Sequence, residues 1–209
     1  MPASTPIARS KTAALARVLD VIPKGYCRYT LGTVAASKAE SLARKFHVRY
    51  GIGCTPAQRV TKRKRGLANT LLVMHWAEGC QQVEWLMLAT NGDGMNGEKL
   101  LDVAARPRLV WLGYELVRRS ERGRTAWTWR RPAGEMAEHY ALIAEFSNKR
   151  HVNALGALLQ RLAKQPGFHG VREQSKRLYE EARRHGHPGD LPHLFYVQKV
   201  SHGQRLRLG

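Results

Sequence analysis

Five cations crowd one short segment of the chain: Arg59, Lys62, Arg63, Lys64 and Arg65. Charges this close repel one another, and a phosphate backbone relieves the repulsion while releasing the counterions condensed on it. If all five meet duplex phosphates, log K falls with log salt at a slope of about −4.5. That is roughly a 500-fold loss of affinity between ~50 and ~200 mM salt. The competing reading is a solvated, charged loop. On a helix, Gln58, Arg59 and Lys62 share a side from which they can reach base edges in a major groove. A second basic group, Arg118, Arg119, Arg122 and Arg124, is interleaved with Trp111, Tyr114, Trp127 and Trp129. Aromatic faces stack unpaired bases, at about 1–3 kcal/mol each. Strand alternation nevertheless puts Trp127 and Trp129 on one face, and core packing is the expected role of both.

Groups able to do covalent chemistry are sparser. His185, His187, Asp190 and His193 lie close together in the sequence, and these residue types ligate zinc or another divalent ion. No second ligand cluster accompanies them, so no metal or other cofactor is expected. Asp93 and Glu98, with Glu84 or Glu115, are the acids a metal-dependent nuclease would draw on. The competing reading of Asp93 and Glu98 is a solvated loop. Metal-independent RNA cleavage needs only an acid, a base and cations around the phosphate. His47, His75, His139 and His169 are candidates for that work, and no spacing singles one out. The chain has no Walker A, GxGxxG, GxSxG, HExxH or kinase motif. Nucleotide hydrolysis, dinucleotide redox chemistry and ordinary hydrolase chemistry therefore lack their usual signatures.

The elements that must position these groups follow from periodicity and turn chemistry. Residues 1–20 read as a basic arm leading into a short helix, and 21–209 as a single α+β domain with a candidate sub-boundary near 105–132. An extended segment at 25–31 precedes an amphipathic helix at 37–50, with Ala39, Leu42, Ala43 and Phe46 on one face. Thr55-Pro56 is a helix start, with a capping hydroxyl and proline in the first turn. Ala57 and Val60 are the residues available to face inward on that helix. Two β-runs follow at 71–76 and 83–90, then a glycine-rich loop, a short helix at 98–103, and a hairpin over 109–118 and 125–130. Beyond Pro132 come three helical stripes and a final strand at 194–200. Segregated strands and helices predict an antiparallel sheet with a helical C-terminal half. The N-terminal part admits two parses. One is winged-helix-like, with 56–65 as recognition helix and 71–90 as wing. The other is ferredoxin-like, with strand, helix and hairpin forming a sheet beside a basic loop.

Whole-chain composition points the same way. The 209 residues carry 35 Lys and Arg against 16 Asp and Glu, a net charge of +19. Such an excess strains the folded state until a polyanion neutralises it, and nucleic acid is the expected partner. A membrane is not, because no apolar run is long enough to span one and the basic helices lack a Trp- or Phe-bearing apolar face. Cys27, Cys54 and Cys80 form no CxxC pair, as expected of reduced thiols in a cytoplasmic protein. The expected function is nucleic-acid binding, to DNA through the basic helix and the basic hairpin, without enzymatic activity. One alternative is structured-RNA binding or metal-independent RNA-processing endonuclease activity on a ferredoxin-like sheet. Another is a structural subunit that meets protein partners in a ribonucleoprotein complex.

Overall fold

Ser10 takes extended backbone angles and accepts a hydrogen bond from the Ala13 amide, so the first helix starts one residue after it. The computed structural model describes residues 3–121, 123–197 and 204–208. Two compact units emerge, residues 1–108 with 200–209, and residues 109–199.

The first unit runs β1 (Ala3–Ala8), α1 (Lys11–Val21), β2 (Arg28–Ala35), α2 (Ala39–Tyr50), α3 (Pro56–Lys64), β3 (Thr70–His75), β4 (Gln82–Ala89) and β5 (Leu101–Asp102). Its sheet also includes the strand Gln204–Leu208, giving the order β5-β2-β4-β3-β1 and then that last strand. Neighbours are antiparallel except β1 and β3, which are parallel with Ile7 opposite Met74. Because β4 runs antiparallel to both β2 and β3, the path β2-α2-α3-β3 is a split crossover with β4 inserted.

Helices cover both faces of this sheet. Ala39, Ala43, Phe46 and Tyr50 of α2 pack on Leu72, Met74, Val83 and Met87. On the opposite face α1, with Ala14, Leu15 and Val18 buried, lies along β1 and β3. Double burial explains why β3 and β4 read as almost unbroken apolar runs. Gly32 leaves room for the Trp85 indole, since a Cβ there would stand 2.8 Å from Trp85 Cζ2.

This arrangement decides between the two parses. Both helices of the winged-helix string exist, but the hairpin of β3 and β4 is buried mid-sheet and is no wing. The ferredoxin-like parse describes the strand–helix–hairpin half, in the order β2-β4-β3. Its last strand is displaced: residues 194–197 have no regular structure, and the terminal strand at 204–208 pairs with β1 on the far edge. The segment 3–8, read as part of an arm, is that edge partner. The helix expected at 98–103 is instead a turn followed by β5 beside Tyr29.

The second unit holds β6 (Val110–Trp111), β7 (Tyr114–Glu121), β8 (Arg124–Arg130), α4 (Ala133–Asn148), α5 (Val152–Ala163) and α6 (His169–Arg184). The strands form an antiparallel ribbon in the order β6-β7-β8. The helices meet through Ile143, Leu155, Leu159, Leu162, Leu178 and Ala182. Arg131, wholly buried, donates to Gln165 Oε1 at 2.6 Å, Ser175 Oγ at 2.8 Å and the Val171 carbonyl at 3.1 Å. Those bonds tie the end of β8 to α6. Gly170 lets the helix approach, because a Cβ there would lie 2.6 Å from the Trp129 carbonyl oxygen. The fold is α+β, and among the described residues no helix is long and apolar enough to cross a membrane.

Candidate nucleic-acid interface

Helix α3 buries none of its residues, so hydrophobic packing does not hold it in place. Its ends do. Thr55 accepts from the Gln58 amide at 3.3 Å while Gln58 Oε1 accepts from the Thr55 amide at 2.8 Å, a reciprocal capping box ahead of Pro56. Lys62 Nζ donates to the Tyr50 carbonyl at 2.9 Å, and Asn69 Nδ2 donates to the Arg59 carbonyl at 3.1 Å. Ala57 and Val60, expected to face inward, are exposed. A charged helix with so little apolar surface lies on the unit as a tethered ridge.

The helical repeat sorts the five cations. Pro56, Arg59, Val60 and Arg63 recur at i, i+3, i+4 and i+7 and line one wall of a groove of about 570 Å³. Arg17 and Val21 of α1 form the facing wall, with Lys24 and Tyr26 from the turn that follows α1. Asn69, Leu71, Thr90 and Asn91 complete the lining. Four cations thus converge from α1, its following turn and α3, and among the described residues no acidic one lines the groove. Arg59 also donates to the Cys54 carbonyl at 3.2 Å, which restrains its guanidinium at the groove. A smaller depression beneath residues 51–54 shares Arg17, Arg59, Asn69 and Leu71 with it.

Lys62 lies on another side of α3, lining a depression with Arg49 and Asp93, while Lys64 and Arg65 are exposed and line neither. The compact cluster in the sequence is therefore split in space. Gln58 Oε1 accepts from the Thr55 amide, which holds the side chain at the cap and away from a free bidentate contact with a base. Arg17, Lys24 and Tyr26 were missing from the sequence-derived set. Their signal was faint: Arg17 lies off the Ala14 and Val18 stripe of α1, and Lys24-Gly25-Tyr26 combines a cation and an aromatic at a turn. Gly25, at φ +94°, makes that turn.

The second basic group lies on the β7–β8 ribbon. Arg118 is exposed and stands opposite half-buried Trp127. Arg119 Nη1 lies 3.1 Å from His169 Nε2. Arg122 lies outside the described residues, as does the side chain of Arg124. Trp129 is wholly buried, as core packing requires, whereas Trp127 is only partly covered.

The candidate catalytic groups are dispersed. Among the described residues no group of three or more His, Cys, Asp or Glu could hold a metal ion. His185 faces Glu181 at 3.2 Å, His187 is buried with its carbonyl bound by Arg183, and His193 stacks edge-on against Phe195. Asp190 is exposed. Asp93 and Glu98 do share a depression, but Glu98 accepts the Tyr50 hydroxyl at 2.7 Å, and burial with that bond pushes Tyr50 up to about 12. Glu84 instead faces His75 at 3.7 Å, and Glu115 binds Arg130 at 2.8 Å.

Histidine protonation follows burial. His47 bonds Thr5 Oγ1 at 2.7 Å, and desolvation holds its pKa below the ordinary value. Desolvation lowers His75 in the same way, against the opposing pull of Glu84. For His139, desolvation and the charge of Arg131 outweigh Glu135. None of these histidines lines the basic groove. All three cysteines are free thiols.

A concave, acid-free surface with four cations and an aromatic ring can grip phosphate oxygens and cover a base. No protein-family model, curated protein or solved structure matches the chain.

Proposed function

We propose that this protein binds nucleic acid through its phosphate backbone, in the groove between α1 and α3. The observation that carries the reading is the convergence of Arg17, Lys24, Arg59 and Arg63 on one surface without an acidic residue. Cations brought together from separate elements, with no acidic residue among the described lining residues, form a standing anion site. Charge distribution supports it: 19 of the 35 cationic residues but only 7 of the 16 acidic ones belong to the first unit. The preference for DNA rested on α3 as a recognition helix followed by a wing. With the hairpin buried in the sheet and Gln58 committed to the cap, phosphate contact is the better-supported role of α3. The exposed Arg118 and the partly covered Trp127 offer a secondary contact surface on the other unit. Cleavage has less support, because the described histidines and acids do not gather at the groove.

The test is a salt series on the triple variant Arg17→Ala, Arg59→Ala, Arg63→Ala. Three lost phosphate contacts should flatten the slope of log K against log salt by about 2.7 units on a duplex, or about 2 on a single strand. The pair Lys64→Ala, Arg65→Ala, which lies off the groove, should flatten it by less than one unit. Equal slopes for wild type and triple variant would remove the groove from the interface.

A further inference from the structure

We infer that the groove takes a single strand of nucleic acid, with a base laid against Tyr26 and the flanking phosphates on Arg17, Arg59 and Arg63. This rests on the nucleic-acid reading above and narrows its substrate class.

The first ground is the mixture of side chains. Gripping a duplex backbone needs cations alone, because paired bases keep their faces inside the stack. Here the four cations are interleaved with Val21, Val60, Leu71 and the half-buried Tyr26. Apolar and aromatic surface between arginines is of use to a ligand that presents phosphate and a bare base face together, which describes an unpaired strand.

The second ground is shape. The lining residues come from α1, the turn after it, α3, the start of β3 and the segment after β4, so the surface is a recess of about 570 Å³. A duplex presents a broad convex backbone and touches only the rim of such a recess. One strand can lie in it.

The third ground is an orphan acceptor. Asn69 is 8 % exposed and lines the groove, and its Nδ2 donates to the Arg59 carbonyl. That bond orients the amide and leaves Oδ1 buried without a donor. Buried acceptors are nearly always paired, and this one belongs to a residue that lines the groove, so a ligand donor that reached it would satisfy it. The exocyclic amine of adenine, cytosine or guanine supplies such a donor, whereas thymine and uracil lack that amine and offer only their ring N3–H.

The experiment measures binding of the full chain, by fluorescence anisotropy at fixed salt, to a short mixed-sequence oligonucleotide. The oligonucleotide is presented as single-stranded DNA, as single-stranded RNA and as the DNA duplex. Either single strand should bind at least tenfold tighter than the duplex, and whichever of the two is tighter identifies the sugar. Tyr26→Leu keeps apolar bulk but removes the ring. It should weaken single-strand binding about 5- to 150-fold, the range for loss of one base–aromatic stack, with an unchanged salt slope. Tyr26→Phe should bind as wild type does, and the thermal midpoint of each variant shows that the fold is kept. Duplex binding as tight as single-strand binding, or a silent Tyr26→Leu, would overturn the single-strand inference while leaving the phosphate groove standing. Failure of all three polymers to bind would overturn the nucleic-acid reading itself.

Discussion

His47, His75, His139 and His187 are each at most 9 % exposed, and desolvation is the largest influence lowering the pKa of all four. Burial penalises the imidazolium, and the neighbouring carboxylates Glu84 and Glu135 offset that penalty only in part. The sign of the consequence is fixed by linkage. The unfolded chain binds these protons near pH 6.5, and the folded chain only at lower pH. Stability is therefore full above that pH and is lost as pH falls below it, by up to about 1.4 kcal/mol per pH unit for each histidine still unprotonated. Urea midpoints between pH 7.5 and 5 should fall steadily. His75→Gln should show a shallower fall, and a midpoint that is flat or rises on acidification would contradict the burial argument. The same side chains explain why histidine counting failed to find a catalyst: burial that makes a histidine structural cannot be seen in its spacing.

Among the α-helices, α3 is the least secured by packing and the most exposed to its proposed ligand. A helix of nine residues is marginal in water, and this one gains no hydrophobic support because none of its residues is buried. Its persistence falls to the capping box, Pro56 and the two tethers through Lys62 and Asn69. Thr55→Ala removes one half of the box, which costs about 1 kcal/mol. That cost should appear locally, as hydrogen exchange of the α3 amides roughly fivefold faster, with the global urea midpoint almost unmoved. Equal loss across all elements would show that α3 is integral to the cooperative core. Thr55 and Pro56 announce this helix in the sequence, and the reciprocal bond from Gln58 emerges only in the structure. Its inward face is another matter: Ala57 and Val60 read as anchors, but both are exposed, and Val60 lines the groove.

For the molecule as a whole, a net charge of +19 sets the balance. Local pairs such as Arg44–Glu40, Lys149–Glu145 and Arg177–Glu173 are solvent-exposed, so each adds little to stability. The unpaired excess outweighs them and opposes compaction. Raising salt from ~20 to ~300 mM shortens the screening length severalfold, so the thermal midpoint should rise over that range. An excess of single-stranded oligonucleotide at low salt should raise it further, by mass action on the folded state. A midpoint that falls with added salt would mean that the favourable pairs dominate and that the excess is already well dispersed.

Composition, periodicity and turn chemistry were enough for the α+β class, the three C-terminal helices, the capped start of α3 and the net basic charge. These are local or additive properties: a capping box spans four residues, an amphipathic stripe two turns, and net charge is a sum. Tertiary structure alone decided the strand neighbours beyond the two hairpins, because β1 finds β3 and the strand 204–208 across long stretches of chain whose pairing no local signal encodes. The composition of the groove was settled in the same way. Arg17 and Arg63 are far apart in sequence, and they share a surface because α1, α3 and Leu71 of β3 line one groove. Adjacent Lys62, by contrast, is turned to another side by a rotation of one residue on the helix. Spacing along the chain lists the cations, and the three-dimensional path selects those that can meet one ligand.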